Sequence, residues 1–302
     1  MATHVQRTLF AYLGTCIAWG STFALVAVAV GTMHPADVVF GRSLLGALVL
    51  LVLAAQRRTP LPRGATTWGH LWVVSLLASV IPGLFVCIAE TRVSSALTGI
   101  LAGMIPLATL LFLVTVFREE KVHPHQLVGL VVGFLGLLVI TGVWQGFGHN
   151  CWWAVLLLIV TIFSYGLAFP YIKRYLSPLH LDPLSLASGQ QLMAVVTLIP
   201  FVLVAGLPHH VPGEAWWSVA ALGIFAGGFA FKWNFETVAA WGSSIASTVE
   251  YVCALVAVVE GVFWLHESVQ WFQPVGGAIV IVAALIGWDQ LRLPTRVRST
   301  SN

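Results

Sequence analysis

The chain has 302 residues, 59% of them hydrophobic and only 8% charged, with a mean hydropathy of +0.93 and a formal net charge of +3. A soluble domain carries about 25% charged residues, so this chain could not cover a water-facing surface with polar groups. The composition excludes a cytosolic globular enzyme, a nucleic-acid-binding domain and a disordered chain, and it leaves a polytopic membrane protein.

A membrane-spanning helix needs about 20 mostly apolar residues. In chain order, such spans are predicted over 8–30, 35–54, 67–89, 94–117, 124–143, 151–173, 183–206, 214–235, 243–265 and 271–290. The connections are short and hold breakers such as His34-Pro35, Pro60-Leu61-Pro62, Ser177-Pro178 and Pro212-Gly213. The first span follows Arg7, is long and lacks a cleavage pattern, so it is read as retained.

Polar and aromatic residues interrupt several spans. The first holds Trp19, the second Arg42, the fourth Met104 and Pro106, and the sixth Tyr165. The seventh holds Gln190 and Gln191, and the ninth holds Glu250, Tyr251 and Glu260. A charge inside a bilayer costs about 2.5 kcal/mol or more, so such groups face protein or a water-filled cavity. Counting depth from the span ends predicts two polar layers, Arg42 with Glu260 and Gln190 and Gln191 with Glu250. Lys232 and Glu236, four residues apart at a span end, read as a surface ion pair with snorkelling, and Glu90 with Arg92 reads the same way. Gly99 and Gly103, Gly129 and Gly133, and Gly223 and Gly227 have the small-xxx-small spacing of close helix crossings.

Lys and Arg set the orientation. With the N-terminus in the cytoplasm, Arg7, Arg57, Arg58, Arg63, Arg118, Lys121, Lys173, Arg174, Lys232, Arg292, Arg296 and Arg298 fall inside, and only Arg92 falls outside. Both termini are therefore expected in the cytoplasm. Tryptophans cluster near span ends, as an interfacial belt requires, and Trp19 is the exception.

The chain also repeats. Glu120, Val122, Gln126, Val128 and Gly129 match Glu267, Val269, Gln273, Val275 and Gly276 at a constant offset of 147. Glu90-Thr91 echoes Glu236-Thr237, and Trp19-Gly20 echoes Tyr165-Gly166. Five spans per half reverse the second half in the membrane. The expected fold is thus all-α integral membrane, with ten transmembrane helices as two inverted five-helix repeats over 1–146 and 147–302. Secondary transporters are commonly built this way, with substrate held near the midplane.

Several chemistries are missing. The chain has no G-x-x-x-x-G-K-[ST] phosphate loop, no H-E-x-x-H, no nucleophile elbow and no Asp-rich metal cluster. Cys16, Cys87, Cys151 and Cys253 lie far apart and read as small packing residues, while His123, His125, His209 and His210 match no metal spacing. No enzyme activity, metal or cofactor is expected.

The "AWGSTF" and "GRSLLGALVLL" segments, Pro106, and the acidic residues Glu120 and Glu267 resemble the drug/metabolite transporter superfamily, specifically its EamA-type members. The "STVEYVCALVAVVEG" stretch is similar to amino-acid exporters of that family, although Ala254 stands where the family has a proline. The resemblance implies a secondary transporter of the inner membrane that exports amino acids or similar small amphipathic metabolites by alternating access. A sugar or nucleotide-sugar transporter of the same superfamily is the alternative. Trp19, Arg42, Met104, Tyr165, Gln190, Gln191 and Tyr251 are the expected substrate contacts, and Glu250 and Glu260 the expected proton-coupling groups. The partners are a small-molecule substrate and the lipid bilayer, with no nucleic acid, and the sequence fixes no oligomeric state.

Overall fold

The computed structural model describes residues 2–117, 124–141, 152–205 and 211–287. The boundary expected between 146 and 147, Cys151, Glu120, His209 and His210, and the basic residues Arg118, Lys121, Arg292, Arg296 and Arg298 lie outside the described residues. Every described element is helical. Eight stretches are long and apolar enough to cross a membrane: α1 (Val5–Val30), α2 (Pro35–Arg57), α3 (Ala65–Glu90), α4 (Ser95–Thr115), α6 (Trp152–Leu179), α7 (Pro183–Ala205), α8 (Gly213–Trp241) and α9 (Ser243–Phe263). Two further apolar helices, α5 (Pro124–Thr141) and α10 (Phe272–Gly287), occupy the remaining predicted spans and pack along each other.

Local signals start these helices where the apolar runs begin. Pro35 and Pro183 stand in first turns, where a missing N–H costs nothing. The Ser94 hydroxyl accepts from Leu97 N at 3.2 Å, and the Asp182 carboxylate accepts from Leu184 N at 2.8 Å. The start of α4 has a second cap. The Glu267 carboxylate, from the α9–α10 connection, accepts from Ser95 N at 2.8 Å and Ala96 N at 2.9 Å. A carboxylate suits the positive end of a helix.

The spans are less regular than their hydropathy suggests. In α4 the helix breaks at Gly103 and Met104, where Met104 N bonds Leu101 O and Leu107 N bonds Met104 O, both three residues back. Pro106 explains this, because it has no N–H to give. In α9 the break falls at Thr248 without any proline. There hydroxyls compete with the backbone: Thr248 Oγ1 donates to Ile245 O at 2.6 Å and Ser247 Oγ to Ser244 O at 2.9 Å. Three helices widen into π-helical turns, α3 over Leu76–Val80, α6 over Ile172–Leu176 and α8 over Leu222–Phe229. Pro82 follows the first, Pro170 precedes the second, and the third contains Gly223, Gly227 and Gly228.

Packing brings α1 against α8 and α9, α6 against α3 and α4, α2 against α7 and α8, and α4 against α9. Small residues permit the closest crossings. A Cβ built on Gly99 would lie 2.2 Å from Ala257 Cβ on α9. One on Gly46 would lie 2.6 Å from the carbonyl of Gly227 on α8. Around this core the molecule presents an apolar exterior, with Leu203, Val204 and Phe263 among its most exposed side chains. Trp72, Trp152, Trp216, Trp217, Trp264 and Trp271 are exposed toward the helix ends, while Trp19 is buried. Cys16, Cys87 and Cys253 are buried free thiols.

Two charged pairs differ from expectation. Lys232 and Glu236 are not a surface pair: both are largely buried, joined at 2.8 Å, and Arg7 reaches Glu236 at 3.0 Å. The three charges tie α1 to α8. Glu90 is buried at the end of α3 with no ion pair among the described residues.

Candidate functional site

The π-helical turns position the site. A wider turn shifts backbone carbonyls off the helix axis, and those carbonyls need donors. Trp19 Nε1 donates to Ala226 O at 3.2 Å, Gln191 Nε2 donates to Gly227 O, and Ser164 Oγ donates to Leu77 O at 2.8 Å. Ser79, in the α3 turn, accepts from Gln190 Nε2 at 3.0 Å and donates to Gln191 Oε1 at 3.3 Å. The result is a rigid polar frame joining α1, α3, α6, α7 and α8.

Beside this frame lies a small, partly open cavity. Trp19, Phe23 and Tyr165 give it an aromatic wall, and Arg42 and Glu250 bring its two charges. Trp19 and Tyr165 face each other with ring centroids 6.2 Å apart. The edge of Trp19 also meets Phe231 at 5.4 Å, and its indole N–H is held by Ala226, so this ring has a fixed position.

Arg42 is half-buried and acts electrostatically on both Glu250 and Tyr165. Its backbone and stem lie against Gly227, where a Cβ would come within 2.7 Å of Arg42 O. Glu250 is only 4% exposed and stands in the first turn of the α9 segment that follows the break at Thr248. That break therefore offers the positive end of a helix to the carboxylate. Thr22, Thr98 and Thr161 add hydroxyls to an otherwise mostly apolar lining, and the buried hydroxyl of Thr161 has no partner.

Of the residues expected to contact substrate, the structure brings together Trp19, Arg42 and Tyr165, with Glu250 beside them. Met104 is buried in the α4 break and Tyr251 is half-buried on α9, and neither lines the cavity. Gln190 and Gln191 are buried within the frame described above, away from the lining. The expected layers do not form. Arg42 shares the cavity with Glu250, while Glu260 accepts from Ser21 Oγ at 2.7 Å and keeps its second oxygen buried without a partner. Thr22, Thr98 and Thr161 were not legible in the sequence, because a threonine in an apolar run has no distinctive spacing.

The arrangement can hold a small molecule with one negative group, one positive or hydrogen-bonding group and an apolar body. Ligand sites commonly take this form, apolar walls with a few placed polar groups.

Comparison with known proteins agrees with a transport role. The EamA-like transporter family matches the chain twice, over residues 6–142 and 152–287. An uncharacterized transporter of Archaeoglobus fulgidus is 22% identical over 277 residues, covering 90% of this chain and 94% of that protein. The uncharacterized inner membrane transporter YedA of Escherichia coli K12 is 23% identical over 286 residues, covering 93% and 90%. The uncharacterized transporter YoaV of Bacillus subtilis is 23% identical over 273 residues, covering 87% and 90%. A solved crystal structure at 18% identity superimposes with a TM-score of 0.69 over 93% of this chain and 98% of its own, which shows a shared fold.

Proposed function

The chain belongs to the EamA-like transporter family, and from that premise we propose that it is a secondary transporter of the inner membrane that exports amino acids or similar small amphipathic metabolites. The observation that carries the substrate class is the cavity, where one guanidinium and one carboxyl face an aromatic wall. An amino acid matches this set. Its carboxylate pairs with Arg42, its ammonium with Glu250, and its side chain lies against Trp19 and Tyr165. Guanidinium groups suit carboxylates because they offer several N–H donors in a fixed plane. A nucleotide sugar brings a diphosphate, and here it would meet a single cation opposed by Glu250. Gln190 and Gln191 hold the frame behind this set. Glu250 and Glu260 are the groups that would couple transport to protons.

Alternating access follows from an inverted repeat. Five packing relations support that reading. The contacts α1 with α8 and α1 with α9 are mirrored by α6 with α3 and α6 with α4, while α2–α7, α4–α9 and α5–α10 pair equivalent helices with each other. At residue level, a Cβ on Gly20 would meet Val256 of α9 and one on its repeat-mate Gly166 would meet Ala108 of α4, each at 2.6 Å. Two such halves can rock about a central site. The Lys and Arg distribution supports cytoplasmic termini.

With no phosphate loop, this chain is expected to hydrolyse no ATP itself. Vesicles holding only this purified chain should exchange labelled phenylalanine across the bilayer with no ATP, and unlabelled phenylalanine should compete. Exchange of a nucleotide sugar with none of phenylalanine would overturn the amino-acid reading.

A further inference from the structure

Glu90 ends α3 with both carboxyl oxygens buried and without a hydrogen-bond partner. A carboxylate withdrawn from water needs a cation or donors in place of its hydration. The groups that act on it are Glu267, a like charge, and the hydroxyl of Thr98. Thr98 Oγ1 donates to Ser94 O at 3.0 Å, and neither Glu90 oxygen has a hydrogen-bond partner. The charges on neighbouring elements are engaged elsewhere. Arg42 on α2 acts on Glu250, Tyr165 and Cys87, and Asp37 on α2 is faced by His34. Tyr165 is the nearby titratable group of α6, and the α1 segment Thr22–Val30 has none. Arg92, two residues on, is exposed and makes an interaction of its own.

The other half of the chain gives a direct comparison. At an offset of 146, Glu90-Thr91 corresponds to Glu236-Thr237. Glu236 is also largely buried, but it accepts from Lys232 and Arg7. The same offset relates Lys232 to Val86 and Arg7 to Trp153. Both cations are thus replaced by uncharged residues at the corresponding positions. Two equivalent carboxyls receive opposite treatment, one neutralised by cations and the other buried with neither oxygen hydrogen-bonded.

We propose that Glu90 is a proton-binding site, whose carboxyl carries a proton in this conformation. Thr98 also lines the cavity. Parting of α3 from α4 at this end would wet the carboxyl and let the proton leave. The site is separate from Glu250 and needs no assumption about the substrate.

Infrared spectroscopy of the full chain in sodium-free proteoliposomes at neutral pH tests this. The carbonyl stretch of a protonated carboxylic acid should be present in the wild type and lost in Glu90→Gln. Val86→Lys in a Glu250→Gln background gives a second route. It supplies the ammonium that Lys232 gives Glu236, and Glu250, which shares the cavity lined by Val86, can no longer contribute an acid band, so the remaining band should disappear as Glu90 ionises. That variant decides the matter if Glu90→Gln does not fold. An unchanged acid-carbonyl region on substitution would show an ionised, structural carboxylate. A band that vanishes when sodium chloride is added would show a metal-cation site. Either result overturns the proposal, and neither bears on the amino-acid reading.

Discussion

Arg42→Gln is expected to abolish useful transport, with affinity for an amino-acid substrate falling by at least about 30-fold. That factor corresponds to about 2 kcal/mol, the lower end of the cost of truncating one member of a desolvated charge pair. The side chain is half-buried beside Glu250 and Tyr165 and is the one cation lining the cavity among the described residues. Initial rates of labelled phenylalanine exchange, measured at several concentrations, would show it. The double variant Arg42→Gln/Glu250→Gln separates two roles. If the two groups only neutralise each other, removing both restores exchange. If they bind the two ends of a zwitterion, the double variant stays inactive although it folds.

Gly46→Ala is expected to give a large loss of stability for a single methyl added to one of the described helix crossings. The added carbon would stand 2.6 Å from the backbone of Gly227, and backbone cannot turn aside as a side chain can. Overpacking of this kind costs about 1–3 kcal/mol. Parting of α2 from α8 would also move Arg42, one turn away and packed on the same Gly227, so transport should fall with stability. Gly69→Ala is the control. Nothing lies within 4 Å of a Cβ there, and alanine favours a helix over glycine by about 1 kcal/mol. Thermal unfolding in mild detergent, followed by tryptophan fluorescence, should show Gly46→Ala lowered and Gly69→Ala unchanged or raised.

These positions show what was legible in the sequence. The spans were, because apolarity summed over about 20 residues is a strong signal. Trp19 and Tyr165 were singled out by their matching offset of 146, and they do stand together on the cavity wall. Small-residue crossings were read correctly at Gly99, Gly223 and Gly227, which lie within close reach of Ala257, Leu45 and Arg42, whereas Gly46 has no small partner at the right spacing to announce it. The pairing of Arg42 failed because depth was counted along straight, regular helices. The break at Thr248 and the π-helical turns invalidate that count, and the α9 break depends on hydroxyl bonds that no proline signals. Burial of the Lys232–Glu236 pair failed for a related reason. A spacing of four residues shows that two charges can meet, but whether water reaches them depends on α1, which arrives from the far end of the sequence.

The central claim is a site that reads both ends of a zwitterion. It is tested most directly by equilibrium binding of three ligands with one side chain: phenylalanine, phenethylamine, which lacks the carboxylate, and phenylpropionate, which lacks the amine. Wild-type protein should bind phenylalanine most tightly, and Arg42→Gln should lose that advantage over phenethylamine while keeping the advantage over phenylpropionate. Equal weakening of all three ligands by Arg42→Gln, or no preference for phenylalanine in the wild type, would contradict the assignment.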